Sequence, residues 1–81
     1  MIVVVRNSAK KDFKKIQEPY KSKIRGKIIL LQEFPNIVNI KKLVNFIPAY
    51  RLRVGDYRIL FDIEENKVII SRILHRQSSY K

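Results

Sequence analysis

The 81-residue chain has no cysteine, a single histidine, two glycines, three prolines and only seven acidic residues. Without cysteine there are no disulfides and no thiolate chemistry, and a cytoplasmic setting fits that usage. One histidine and scattered carboxylates argue against a protein-built metal site, and no cofactor is expected. No run approaches the roughly 18 apolar residues a membrane span needs. The "MIVVV" start is too short for a signal-peptide core and lacks a cleavage site, so no membrane association is expected. Repeats, low-complexity segments and linkers are missing too, which leaves one domain over residues 1–81 with a single modest core.

What the chain does have is positive charge. Eighteen basic residues give a formal net charge of +11, against an ordinary apolar fraction of 46%. Such a balance points to anionic partners: nucleic acid, an anionic surface or an acidic protein. The two cations are also segregated. Residues 1–47 hold nine lysines, whereas residues 48–81 hold five arginines: Arg51, Arg53, Arg58, Arg72 and Arg76. Lysine suits diffuse attraction, and the planar guanidinium fork suits defined phosphate contacts. The C-terminal part is therefore the expected site, with the N-terminal part supplying the field.

Periodicity predicts an α+β domain: a short N-terminal strand, a two-helix hairpin, then three antiparallel strands, with the helices packed on one face of the sheet. The first strand is Met1–Arg6. Asn7 or Ser8 is the expected cap of a helix carrying Ala9, Phe13, Ile16 and Tyr20, and Pro19 ends or kinks it. A second helix runs from about Tyr20 to Glu33, with Ile24, Ile28, Leu31 and Phe34 on one stripe and Gly26 as a weak point. The segment "NIVNIKKLVNFIPA" has no clean period and reads as an irregular connection. Strands follow at Tyr50–Val54, Tyr57–Ile63 and Val68–Leu74.

A two-residue Gly55-Asp56 turn sets the first hairpin register, with Arg53 opposite Arg58, Leu52 opposite Ile59 and Arg51 opposite Leu60. Alternation then gives one apolar face, from Tyr50, Leu52, Val54, Tyr57, Ile59, Phe61 and Ile63. The other face carries Arg51, Arg53, Arg58, Leu60 and Asp62. Like charges directly opposite one another cost roughly 0.2–1 kcal/mol. Two readings fit that cost. Either the arginines splay into solvent and cover apolar surface with their stems, or the face meets a polyanion that turns repulsion into attraction. A Glu65-Asn66 turn would put Arg58 opposite Ile73 and bring Ile69, Ser71, Ile73 and His75 onto the arginine side. A bulge would reverse that parity. The expected cluster is Arg51, Arg53, Arg58, His75, Arg76 and Tyr80.

The hairpin "YRLRVGDYRILF" and the terminal "HRQSSY" together resemble the second half of RelE-type toxins of the RelE/ParE toxin–antitoxin superfamily. The order of elements resembles the family over the whole chain. That resemblance implies an endoribonuclease that enters the ribosomal A site and cuts mRNA without a metal, and a small antitoxin that wraps and neutralises it. Arg51 and Arg53 match the family's basic pair and Arg58 the arginine after the turn, while Arg76 and Tyr80 match its terminal arginine and tyrosine. Some relatives have lysine in the basic pair. The C-terminal helix of some relatives is expected to be missing, since the chain runs one residue past Tyr80. Arg51 and Arg53, with Lys10 and Lys14 on the first helix, form the expected RNA-binding set. Arg58 and Arg76 are expected to stabilise charge on the phosphorane. Arginine stays protonated, so proton transfer falls to His75 and Tyr80. Two other functions are open: a ParE-like gyrase inhibitor, and a non-catalytic basic module that binds RNA or protein.

Overall fold

The computed structural model describes residues 1–37 and 39–77. Strand β1 (Ile2–Val5) leads into helix α1 (Asn7–Lys14) and then α2 (Tyr20–Leu30), which tightens into a 3₁₀ turn over Leu31–Glu33. Strands β2 (Ile40–Lys42), β3 (Tyr50–Val54), β4 (Tyr57–Glu64) and β5 (Lys67–His75) complete the chain. The five strands form one mixed sheet in the order β1-β5-β4-β3-β2, in which β1 runs parallel to β5 and the other pairs are antiparallel. The α+β architecture is the one the periodicity predicts. The addition is β2, three residues of the segment read as irregular. A strand that short shows no period of its own, and its pairing with β3 defines it.

Both helices cover the apolar sheet face. Ala9, Ile16, Ile24 and Leu31 meet Leu52, Val54, Ile59, Phe61, Val68, Ile70 and Ile73 in one buried cluster. Within it the cross-strand pair Tyr50–Phe61 stacks at 5.4 Å between centroids, and Phe34 meets both rings edge-on. Aromatic pairs in such geometries add to what area burial alone supplies. The start of α2 is held by Glu18, whose carboxylate accepts from the Ser22 amide at 2.9 Å and from its hydroxyl at 2.6 Å. Those bonds hold the Glu18 carboxyl below its ordinary range.

Neither Asn7 nor Ser8 caps α1. The N-cap is Arg6, with no side-chain bond, and both predicted caps lie inside the helix. The Ser8 hydroxyl is used elsewhere, donating to the Ser71 carbonyl at 2.6 Å. One helical turn later, Asp12 accepts the Ile73 amide at 2.9 Å and the Arg72 Nε at 2.7 Å. The location explains these bonds. β1 pairs with β5 only as far as Ile70, which leaves the β5 edge beyond it open. Buried backbone groups need partners, and α1 supplies them from residues four apart on one helix face.

The same contacts hold a bulge. Leu60 pairs with Arg72 but Phe61 pairs with Ile70, so Ser71 is an extra residue in β5. From Glu64 to Phe61 the register is the one predicted from a Glu65-Asn66 turn, and past the bulge it is overturned. Arg58 faces Leu74 rather than Ile73, and Tyr57 faces His75. Past the bulge Arg72 and Leu74 are on the arginine side, while Ile73 and His75 turn to the helix side.

Candidate functional site

The Gly55-Asp56 hairpin forms as its turn chemistry dictates. Gly55 takes φ 59, the positive value that the first position of a II′ turn requires, and Arg53 lies opposite Arg58. The sheet pairings continue outward in rows. Lys41 of β2 lies opposite Arg51, which lies opposite Leu60, and Arg53 lies opposite Arg58, which lies opposite Leu74. Arg51, Arg53 and Arg58 thus share one face with Lys41, a cation at the sheet edge.

Arg76 joins this group at the hairpin end. Its amide donates to the Asp56 carbonyl at 2.6 Å, and its guanidinium lies 4.0 Å from the Asp56 carboxylate. Arg53 folds back onto the same turn, its Nε donating to the Gly55 carbonyl at 3.2 Å. Arg72 faces this side by register but is diverted round the edge to Asp12. Burial by itself raises the Asp12 pKa, yet the Arg72 bond, the Ile73 amide and the nearby cations outweigh it and hold the carboxyl below its ordinary range. The same bond raises the Arg72 pKa.

This face is only partly open to solvent. Arg58 is 9% exposed and is the one charged residue buried among the described residues. The β2–β3 loop lies over it: Leu43, Phe46, Ile47 and Pro48 line a cavity of about 170 Å³ with Arg51, Arg58 and Leu60. Asp62, an acidic residue of this face, accepts the Ala49 amide at 2.6 Å and so ties the loop down. A side chain that would otherwise oppose an anion is occupied in holding backbone.

His75 does not join the arginines. It packs edge-on against Tyr57 at 5.2 Å, on the face where Tyr57 also meets Tyr20 at 5.7 Å. Its Nδ1 accepts a long bond from the Gln77 amide at 3.4 Å. Lys10 and Lys14 are also apart from the arginine face. They line an apolar cavity of about 360 Å³ on the helix side, with Val5, Phe13, Arg25, Ile28 and Ile73. Tyr80 lies outside the described residues.

A family model described as the ParE toxin of type II toxin–antitoxin systems matches residues 3–80. The chain belongs to this toxin family. Its relatives include toxins named RelE. Toxin RelE3 of Methanocaldococcus jannaschii is 42% identical over 43 residues, a stretch covering 53% of this chain and 49% of that protein. The toxin thus spans about half the length of that curated relative in the match. Among solved structures, the RelB–RelE antitoxin–toxin complex from Methanococcus jannaschii aligns with a TM-score of 0.82 at 29% identity, covering 95% of this chain and 94% of that one. The Mycobacterium tuberculosis RelBE2 toxin–antitoxin complex aligns with 0.78 at 25%, covering 93% and 96%. Isolated E. coli RelE aligns with 0.75 at 17% identity, covering 91% and 82%, which shows a shared fold.

Two features of the toxin's arginine face are not legible from strand alternation. Lys41 reaches it only through the pairing of a three-residue strand. Arg58 is buried because a loop folds over a face read as open. The loop itself carries the remaining signal, visible as "LVNFIP", an apolar run with nowhere on the sheet to go.

Proposed function

We propose that this toxin is a ribosome-dependent mRNA endonuclease that cuts in the ribosomal A site by attack of a 2′-OH, without a metal. The observation that carries the reading is that Arg51, Arg53 and Arg58 share one sheet face, with Arg76 beside the Gly55-Asp56 turn. Cleavage of this kind needs few parts. The ribose supplies the nucleophile, the oxygen attacks in line, and the 5′ oxygen leaves. The phosphorane carries extra negative charge, which cations fixed beforehand stabilise without reorganising. Arg58, held under a loop at the centre of the sheet, and Arg76, beside the turn, take that role. Arg51 and Arg53 grip the backbone, and Lys41 extends the grip toward the sheet edge. Lys10 and Lys14 contribute to the field that draws the protein onto rRNA.

Proton transfer needs a group other than arginine. His75 precedes Arg76 in the chain but turns to the opposite face, so a phosphodiester would have to reach round the strand end to meet it. Tyr80 is the second candidate. His75→Ala decides between them: cleavage within a few-fold of wild type removes His75 from the reaction. An antitoxin partner fits the +11 charge and the apolar groove between the helices, and the RelB–RelE complexes among its structural relatives support it. An acidic amphipathic segment that folds on contact has the matching chemistry.

The test is primer extension on a translated mRNA with wild type, Arg58→Ala and Arg76→Ala. Cuts in the A site that both substitutions abolish are the expected result. Equal cutting of naked RNA overturns the ribosome dependence. No cutting, together with inhibited supercoiling by gyrase, assigns the toxin to the gyrase-poisoning branch instead.

A further inference from the structure

The loop over residues 43–49 is built to hold apolar side chains in water. The Leu43 amide donates to the Ala49 carbonyl at 2.7 Å and closes the loop at its base. Asp62 anchors that base to β4 through the Ala49 amide, and Asn45 turns the chain with φ 61. The closed loop leaves Val44 79%, Phe46 64% and Ile47 95% exposed. Exposed apolar groups this close together mark a surface that meets something.

The neighbours say what. Phe46 and Ile47 line one wall of the cavity, and the Arg51 and Arg58 side chains line another. A bare anion would use the guanidinium groups and leave the apolar wall wet. A purely apolar partner would strip water from the half-exposed Arg51 guanidinium and return nothing. A nucleotide satisfies both walls, because it joins a flat apolar ring to a phosphate. Aromatic side chains stack on every base through its π face, and arginine takes the phosphate oxygens bidentately.

We propose that loop 43–48 is a base-recognition element, in which Phe46 stacks on one nucleobase of the bound strand while Arg51 and Arg58 hold the adjoining phosphate. Asp62 is a positioning residue that sets the loop over the cavity. The inference rests on the RNA-cutting function proposed above and adds the residue that senses the base.

Fluorescence anisotropy with labelled 2′-O-methyl pentanucleotides, which cannot be cut, tests it beside an abasic strand of equal charge. Phe46→Ala should weaken binding of the base-bearing strands by roughly fivefold to a hundredfold, the range of one lost stacking contact. Its affinity for the abasic strand should not change. Phe46→Trp should restore binding. Asp62→Ala should behave as Phe46→Ala does, whereas Asp62→Asn, which keeps an acceptor for Ala49, should rescue it. Phe46 is exposed, so its variants should melt with wild type. An equal loss on both strands, or none on either, overturns the proposal. So does a Phe46→Ala protein that binds RNA normally but has lost an acidic amphipathic peptide, since the loop would then be a protein-docking surface. The outcomes separate from those of the endonuclease reading: a wild type that prefers base-bearing strands yet cuts nothing on the ribosome sinks that reading and leaves the base pocket standing.

Discussion

The two basic regions of this toxin carry the same sign of charge and differ in how they hold it. On the helix side Lys21 and Arg25 lie over the Phe13 ring at 5.1 and 5.4 Å, and Lys23 lies over Tyr20 at 5.9 Å. There these cations lean on aromatic rings, and Arg25 lines an apolar groove with Lys10 and Lys14. On the sheet side the arginines stand on strands whose register is set by a tight turn, and Arg58 is buried beneath an anchored loop. Flexible surface charge serves attraction at a distance, which salt screens. Charge held by a sheet and shielded from water serves a defined phosphate, where electrostatic effects are largest. Net charge alone does not separate these roles; backbone rigidity and burial do.

The comparison breaks most sharply at Arg58. Arg58→Ala should lower ribosome-dependent cleavage at least about a hundredfold, the scale of removing one group that stabilises the transition state. Circular dichroism of the same variant should show the native fold. Next comes the α1–β5 seam, whose loss should be structural rather than functional. Asp12→Ala leaves the Ile73 amide without its acceptor and should destabilise the fold by about 1–3 kcal/mol in urea titrations. The sign with pH follows from the depressed Asp12 pKa. Its contribution is complete above the unfolded value of 3.8 and is lost as pH falls through the lower folded value. The stability gap between wild type and Asp12→Ala should therefore narrow below that pH.

Smaller effects distinguish the two kinds of charge. Lys10→Ala with Lys14→Ala should weaken ribosome binding only a few-fold, flatten its dependence on salt and leave the sites of cleavage unchanged. A changed cleavage pattern would place these lysines in the site itself. Arg53→Thr should do the opposite on two axes. It should raise stability by roughly 0.2–1 kcal/mol, because a like-charge cross-strand pair is relieved, and it should lower affinity for RNA. The smallest change needs no ligand. A methyl group at Gly26 meets open space in the middle of α2, so Gly26→Ala should stabilise the fold by about 0.5–1 kcal/mol in thermal or urea unfolding.

Local rules read this chain well wherever neighbours in sequence are neighbours in space. The Arg53–Arg58 pairing follows from a two-residue turn and strict alternation, both contained within "RVGDYR". The stripe of Ile24, Leu31 and the partly buried Ile28 follows from helical spacing. The β5 register yielded only as far as Ile70, because Ile69, Ile70, Ile73 and Leu74 offer apolar residues at both parities. The adjoining polar pair Ser71-Arg72 was the available mark of a slip. What holds that slip in place is remote: Ser8 and Asp12 bond to residues 63 and 61 positions away.

By itself, then, the sequence determined the charge, the two helices, four of the five strands and the arginine hairpin, since each rests on composition, short-range periodicity or the geometry of one turn. Only the tertiary structure decided which arginine is buried, where His75 points and what the apolar loop covers. Those outcomes depend on contacts between α1 and the edge of β5, and between Asp62 and Ala49. Side-chain alternation carries no information about either.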